Sequence, residues 1–248
     1  MSTEKTIKPP LWEPVQNETL SGSIVTQIRN AVLSETLHAG QFLGSEAALA
    51  KQFGVSRMAA RDALRTLEGL GIIEIRMGAK GGVWIAPGNP DHLAGALAIH
   101  LKLIGVTPSE VFDAQMALEI TAAELAAQRR TDADVQQLRE RLNELETSKN
   151  DLERFARVSM QFHDGLVKAA HSRILLVEFR ALSHVLQPVL LPNLTADSAE
   201  RIIQRHRMLL SAIEARDGAS AASIMRERLT YQRDKTLAQS QSAVIPTP

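Results

Sequence analysis

Two short helical segments joined by a tight glycine turn constrain the fold of this chain more than any other feature of its sequence. Ser45 can cap the N-terminus of the first segment, and Gly54 can end it because glycine tolerates the left-handed conformation that follows many helices. Ser56, only two residues later, can cap a second helix that runs to about Gly69. This spacing predicts two helices in a helix-turn-helix arrangement. The predicted buried face of the second helix consists of Ala60, Leu64 and Leu67.

The flanking segments add one helix and two strands. Apolar residues recur at helical spacing from Ile24 to Val32, and His38–Gly40 is the predicted end of this helix. Residues 72–76 and 83–85 are short β-prone runs on either side of a glycine-rich stretch, which predicts a β-hairpin. Together these elements predict a winged helix-turn-helix domain of three helices plus a β-hairpin.

Everything after the hairpin is predicted to be helical, so the expected fold class is mainly α, with an all-α helical bundle after the winged domain. Turn chemistry at residues 87–90 marks the predicted boundary, and Pro90 can occupy the first position of a helix capped by Asn89. Thr107 and Glu110 have the spacing of a capping box. About seven helices are expected, the later ones over 131–149, 152–170, 174–190, 197–215 and 219–238.

Three arginines lie opposite the apolar face of the third helix. Arg57, Arg61 and Arg65 are four residues apart, so each lies only about 40° around the helix from the previous one. Such a stripe can bind guanine edges or phosphates in a DNA groove, although many stripes of this kind are simply solvated surface. The net charge of the whole chain does not favour binding to nucleic acid, because its 28 basic residues balance 28 acidic ones.

The composition excludes several classes of site. The chain has no cysteine, so disulfides and thiolate metal sites are ruled out. No phosphate loop or serine nucleophile motif is found, and an enzyme that uses a histidine of the helical bundle is the alternative from a different class. The polar start of the chain lacks the apolar core of a signal peptide, and we expect a cytoplasmic protein with no membrane segment.

The N-terminal part resembles the GntR family of bacterial transcriptional regulators. The residues that carry this resemblance are Leu43–Glu46, Leu49–Ala50, Phe53–Arg57, Ala60–Leu64, Leu67, Gly71–Ile73 and Arg76–Gly78. Gly44 replaces the usual proline, and Ala47 stands where many members have a basic residue. The resemblance implies that double-stranded operator DNA is bound. The predicted DNA-binding residues are Ser56, Arg57, Arg61, Arg65, Gly78 at the tip of the wing, and Lys80.

The later helices resemble the helical effector-binding domain, of FCD type, that is paired with this module in the FadR-type branch of the family. The matching segments are Asp113–Glu119, Phe162–His163, His206, Leu210–Ile213 and Met225–Leu229. Residues 1–18 and 241–248 show no helical or strand periodicity, which predicts a flexible arm and a flexible tail. Between them we expect a DNA-binding domain over 19–86 and an effector-binding and dimerisation domain over 87–240. We also expect a homodimer, because one recognition helix reads too few bases for specificity.

Many relatives hold a divalent metal in this domain with one Asp and three His, and only part of that set is present here. His163 and His206 match two of the histidines, whereas Ser159 occupies the aspartate position and Arg228 the third histidine position. We therefore expect no required cofactor, with a metal on His163 and His206 as the alternative.

A cation lost at one position and gained at another indicates the class of effector. Gln115 stands where relatives commonly carry arginine, and Arg228, unless it is a surface residue, would restore a cation to the same cavity. A guanidinium favours carboxylates, so we expect a small anionic metabolite, an organic acid or acyl derivative, as effector. The predicted effector-binding residues are Gln115, Ser159, His163, His206 and Arg228.

Overall fold

The chain divides between Asn89 and Pro90 into an N-terminal unit, Met1–Asn89, and a C-terminal unit, Pro90–Pro248. The computed structural model describes residues 19–78, 81–190 and 194–242. The predicted arm over residues 1–18, the wing residue Lys80 and most of the predicted tail lie outside these ranges. Within them, the predicted fold class is confirmed, because three helices and a small sheet are followed by seven helices.

The N-terminal unit is built from three helices and three short strands. Their bounds are α1 Leu20–Leu33, β1 Phe42–Gly44, α2 Glu46–Phe53, α3 Arg57–Gly69, β2 Ile73–Arg76 and β3 Gly82–Ile85. The side chain of Ser45 accepts a hydrogen bond from the amide of Ala48 at the start of α2, at 3.2 Å. Gly54 ends α2 with φ 65° and ψ 32°, in the left-handed region. The predicted caps of the helix-turn-helix are therefore confirmed.

Two details of this unit differ from the prediction. α1 ends at Leu33 and not at His38–Gly40, because Glu35 adopts a φ of 57° and turns the chain away from the helix axis. The hairpin gains a third strand, since β1 pairs antiparallel with β3 to give the order β1-β3-β2. A three-residue strand is too short to show the alternation by which strands are recognised in a sequence.

The core of the N-terminal unit lies between α1, α3 and the sheet. The predicted face of α3 is buried, with Leu64 and Leu67 only 2% and 0% exposed. It packs with Ile24 and Ile28 of α1 and with the inward residues of the sheet, Ile73, Val83 and Ile85. Burial of these side chains holds α3 rigidly, so its opposite face is presented to solvent in a defined orientation.

The C-terminal unit contains seven helices, and the structure adds four residues to the predicted end of the last one. Their bounds are α4 Pro90–Ile104, α5 Pro108–Arg129, α6 Asp132–Thr147, α7 Leu152–Ala169, α8 Arg173–Leu190, α9 Ala196–Glu214 and α10 Gly218–Ser242. The predicted capping box is present at α5, where Thr107 and Glu110 bond each other's backbone amides. The start of the predicted tail, 241–242, is helical.

α5 is the central helix of the C-terminal unit. It packs against α7, α8, α9 and α10. Fully buried alanines line one side of it, and their small side chains allow the neighbouring helices to approach closely. These alanines are Ala122, Ala123, Ala126 and Ala127. α5 consequently carries buried polar residues at the centre of the bundle. No helix of the described residues is long and apolar enough to cross a membrane.

The glycine at the end of α2 gives a test of the helix-turn-helix geometry. Gly54→Ala is expected to destabilise the N-terminal unit by about 1 to 2 kcal/mol, because a Cβ is unfavourable in the left-handed conformation. A Cβ at this position would meet no atom within 4 Å, so crowding by neighbours does not contribute. Urea unfolding followed by tryptophan fluorescence measures the loss, since both tryptophans, Trp12 and Trp84, belong to this unit.

Gly69→Ala is the matched control. Gly69 is the last residue of α3, and a Cβ there would also meet nothing within 4 Å. Its backbone lies outside the positive-φ region, so alanine should be neutral or stabilising by up to about 1 kcal/mol. Equal losses in the two variants would contradict the assignment of Gly54 as a conformational cap.

Candidate functional site

An exposed basic stripe runs along α3. Ser56 begins the helix by accepting a hydrogen bond of 3.2 Å from the amide of Ala59. The side chains of Arg57, Arg61 and Arg65 are exposed, while the apolar residues on the other side of α3 are buried. The predicted division of this helix into a cationic face and a buried face is confirmed.

A contact that was not predicted from the sequence joins this stripe to α2. Nε of Arg61 lies 3.1 Å from each carboxylate oxygen of Glu46, and Nη2 donates to Oε1 at 2.8 Å. These hydrogen bonds lower the pKa of Glu46, and the charges of Arg57 and Arg65 act in the same direction. Glu46 therefore orients the Arg61 guanidinium and offsets part of the positive charge of the stripe.

The wing places Gly78 at the turn between β2 and β3. Gly78 has a φ of 93°, and its carbonyl accepts a hydrogen bond of 2.8 Å from the amide of Gly81. Arg76, just before the turn, lies 4.4 Å from the ring centre of Trp84 and pairs with Glu74. Arg76 is thus held on the sheet by a cation–π contact and a carboxylate. Lys80 lies outside the described residues.

Five helices of the C-terminal unit, α5 and α7 to α10, contribute residues to the wall of a cavity of about 180 Å³. α5 contributes Gln115 and Glu119, and α7 contributes Ser159 and His163. Each pair is four residues apart, so both members lie on the same face of their helix. Arg228 of α10 also lines the cavity. Four of the five predicted effector residues are therefore brought together in its wall.

Glu119 is the central group of this wall. It is 0% exposed, its Oε1 accepts a hydrogen bond of 2.5 Å from Nε2 of Gln115, and its Oε2 lies 2.6 Å from Nδ1 of His163. Burial opposes ionisation, but His163, Arg228 and Gln115 together hold the pKa of Glu119 below its usual value. Burial, reinforced by the charge of Arg228, lowers the pKa of His163 even though Glu119 opposes this shift. A carboxylate therefore faces a neutral imidazole whose Nδ1 carries the proton.

His206 supports the wall through Ser159. Its Nδ1 donates a hydrogen bond of 2.7 Å to the carbonyl of Ile202, so in the neutral ring Nε2 is an acceptor that lies 3.4 Å from Oγ of Ser159. Burial lowers the pKa of His206 well below its usual value, and the nearby His163 and Arg228 add to the shift. His206 is thus a neutral group that orients the Ser159 hydroxyl.

Arg228 supplies a buried positive charge. Its Nε and Nη1 are buried and have no hydrogen-bond partner among the described residues. Burial lowers the pKa of Arg228 while the charge of Glu119 opposes that shift, and a guanidinium stays charged in proteins. Further basic residues of the lining, Arg201, Arg205 and Lys235, outnumber its one acidic residue, Glu119, among the residues described. The cavity therefore favours an anion.

The donor set does not fit a divalent metal. Nδ1 of His163 is occupied by Glu119, and both ring nitrogens of His206 are engaged by Ile202 and Ser159. Arg228 adds positive charge and offers no electron pair. Within residues 19–78, 81–190 and 194–242, no group of three or more His, Asp or Glu side chains could hold a metal ion.

A winged helix-turn-helix with an exposed basic helix, in one chain with a separate helical bundle, is the arrangement of a transcriptional regulator. The sequence also matches two family models: "Bacterial regulatory proteins, gntR family" over residues 20–81 and "FCD domain" over residues 110–231. The chain belongs to the GntR family of transcriptional regulators and carries an FCD domain as its C-terminal part.

Curated relatives agree with this assignment. The chain is 28% identical to the HTH-type transcriptional regulator LutR of Bacillus subtilis, covering 80% of this chain and 92% of that protein. It is 28% identical to the putative L-lactate dehydrogenase operon regulatory protein of Escherichia coli, covering 86% and 84%. It is 26% identical to the galactonate operon transcriptional repressor of Escherichia coli, covering 73% and 81%. These families and relatives are regulators of transcription and not enzymes.

Sequence reasoning missed both acidic residues that organise these surfaces. Glu119 stands inside an apolar run of α5, and a charge in such a run is a local signal of a buried functional group. Arg61, which pairs with Glu46, and His163, which lies against Glu119, are on other helices, at separations of 15 and 44 residues. Such contacts have no periodic signature, so only the packed helices identify them.

The buried histidines predict how stability depends on pH. An unfolded histidine has a pKa of about 6.5, and the folded values of His163 and His206 are lower, so the unfolded chain binds more protons below that pH. The free energy of unfolding should fall as the pH drops below about 6.5, with a slope approaching about 1.4 kcal/mol per pH unit for each histidine. Urea unfolding followed by far-UV circular dichroism at pH 7.5, 6.5 and 5.5 measures this slope.

Two histidine variants isolate the source of the slope. His206→Gln removes one of the two groups that must become charged, so the slope should be reduced. His184→Gln changes an exposed histidine on α8 and should keep the slope of the unchanged chain. The burial argument is wrong if His206→Gln unfolds with the original pH dependence.

Proposed function

We propose that this chain is a ligand-responsive regulator that binds operator DNA as a homodimer, and that an organic acid or acyl derivative in the cavity of the C-terminal unit controls the affinity for DNA. The observation that carries the proposal is the buried guanidinium of Arg228, with two unpartnered donors in the wall of that cavity. Buried donors without a partner are unfavourable, and a carboxylate bound to this guanidinium would supply a charge-assisted hydrogen bond.

We assign the DNA contacts to the exposed face of α3 and to the wing. Arg57 and Arg61 contact base edges or phosphates in the major groove, Arg65 contacts a phosphate, and Gly78 enters the minor groove. Ser56, at the N-terminus of α3, and Lys80, beside the wing turn, contact neighbouring phosphates. The exposure of the three arginines and the positive φ of Gly78 support this assignment.

A homodimer follows from the small number of bases that one recognition helix can read. Two copies related by a two-fold axis would recognise an inverted repeat, and the C-terminal unit would supply most of the contact between the copies. Large apolar side chains left exposed on α4, Leu93, Leu103 and Ile104, support this choice. We place the regulator in the cytoplasm and propose no required metal.

The relatives support an acid as effector. One is named for the L-lactate dehydrogenase operon and another for the galactonate operon, and both names refer to carboxylic acids. The excess of basic over acidic residues around the cavity also favours an acid, because its positive charge attracts an anion.

The DNA assignment predicts a graded effect of arginine removal. Arg57→Ala and Arg61→Ala should each weaken binding to the specific operator by about 1 to 3 kcal/mol, whereas Arg65→Ala should weaken binding to all sequences alike and by less. Fluorescence anisotropy with operator and scrambled duplexes at one fixed salt concentration measures both effects. Unchanged operator affinity in the first two variants, with the circular dichroism spectrum retained, would refute the groove assignment.

The effector assignment predicts a ligand-dependent gain in stability. An organic acid present at 100 times its Kd should stabilise the chain by about 2.7 kcal/mol, since it binds only the folded state. Arg228→Lys keeps the charge but loses the planar pair of donors, so the thermal shift should shrink strongly. The control is Arg226→Lys, which changes an exposed arginine of the same helix and should leave the shift intact. A full shift in Arg228→Lys would exclude Arg228 as the carboxylate-binding group.

A further inference from the structure

The carboxylate of Glu119 determines which atoms of its neighbours remain for a ligand. One oxygen takes the amide Nε2 of Gln115 and the other lies against Nδ1 of His163. The other polar atoms of these neighbours, Oε1 of Gln115 and Nε2 of His163, are buried and have no hydrogen-bond partner in the part of the chain that the structure describes. Both residues line the cavity, and each is at least 95% buried.

Both of these atoms are hydrogen-bond acceptors. The amide of Gln115 faces a carboxylate, which accepts only, so its nitrogen must be on that side and its oxygen on the other. The neutral ring of His163 carries its proton on Nδ1, so its Nε2 offers a lone pair. Burial and Arg228, which lower the pKa of His163, keep the ring in this state at neutral pH.

Ser159 adds a third acceptor to the same wall. Because Nδ1 of His206 donates to the carbonyl of Ile202, Nε2 of His206 accepts, and the Ser159 hydroxyl is the donor of the 3.4 Å contact between them. Its hydrogen is then directed toward His206, and the oxygen lone pairs of Ser159 remain for the cavity. The wall thus combines three acceptors with the two unpartnered donors of Arg228.

We propose that the cavity selects hydroxy carboxylic acids: the carboxylate is bound by the guanidinium of Arg228, and a hydroxyl hydrogen of the ligand is accepted by Oε1 of Gln115 or Nε2 of His163. This assignment rests on the proposed function, in which the cavity binds an organic acid. Glu119 is a positioning residue, because it turns the two acceptors without being needed as a ligand contact itself.

This wall should distinguish acids that carry a hydroxyl from acids that lack one. An acid that has hydrogen in place of the hydroxyl would bury the acceptors without a partner, and a keto acid would place a carbonyl oxygen against their lone pairs. Leaving a buried acceptor unpaired is expected to weaken binding by about tenfold or more. The deoxy and keto acids should therefore both bind at least about tenfold more weakly than the matching hydroxy acid.

Isothermal titration calorimetry at pH 7.5 with matched series of acids tests the proposal on the full-length protein. The series are lactate, propionate and pyruvate; malate, succinate and oxaloacetate; and gluconate with hexanoate. In each series that binds, the hydroxy acid should have the lowest Kd by at least about tenfold. Equal or tighter binding of the deoxy or keto acid would overturn the hydroxyl assignment and leave the proposed function standing. Binding of none of these acids would overturn both.

Two variants connect the preference to the named atoms. Gln115→Leu removes one acceptor and the partner of Glu119, so the ratio of Kd values for deoxy and hydroxy acid should fall severalfold while the deoxy acid still binds. Gln128→Leu, an exposed position on the same helix, should keep the ratio. This ratio does not respond to a general loss of stability, which weakens both ligands alike. A ratio that is unchanged in Gln115→Leu would exclude Gln115 as a hydroxyl acceptor.

Discussion

The buried carboxylate of Glu119 is the group on which the chemistry of the C-terminal unit depends. A fully buried charge is tolerated only when donors and an opposite charge surround it. Gln115 and His163 supply the contacts at 2.5 and 2.6 Å, and Arg228 supplies the compensating charge. These contacts fix the orientation of the Gln115 amide and the His163 ring. The hydrogen-bonding needs of one buried carboxylate therefore also determine which acceptor atoms of its neighbours remain for the cavity.

On the proposed function, the same residues place an anion site where the family resemblance implies a metal site. In the relatives described by the family resemblance, an aspartate and a third histidine complete a metal set, and here Ser159 and Arg228 stand in those places. The positive charge that a metal would provide is carried by Arg228, next to a network in which His163 and His206 already have partners. A guanidinium provides directional donors for a carboxylate without any need for electron-pair ligands.

The N-terminal unit separates stability from recognition in a comparable way. The apolar face of α3 is locked against α1 and the sheet, while the arginines on the other face make few contacts with the core. Arg61 differs from the other two arginines, because Glu46 of α2 binds its guanidinium. A pre-oriented guanidinium loses less side-chain entropy on binding, but the ion pair must rearrange or be shared when a phosphate or base is contacted.

The sequence by itself determined the local elements of this protein: the caps at Ser45, Ser56 and Thr107, the glycine that ends α2, the seven later helices, and the two faces of α3. These features depend on residues within a few positions of each other, so periodicity and capping chemistry reveal them. It also indicated four residues that meet in the cavity wall, through the family resemblance.

Only the tertiary structure decided the end of α1, the short strand β1, and the pairings of Glu46 with Arg61 and of Glu119 with His163. The first two depend on a single left-handed residue, Glu35, and on backbone pairing with a strand some 40 residues away. The two pairings join side chains on different helices, and nothing in the local pattern specifies which buried acceptor will lack a partner. That outcome is a property of the packed bundle, because burial and hydrogen-bond satisfaction are defined only once every neighbour is in place.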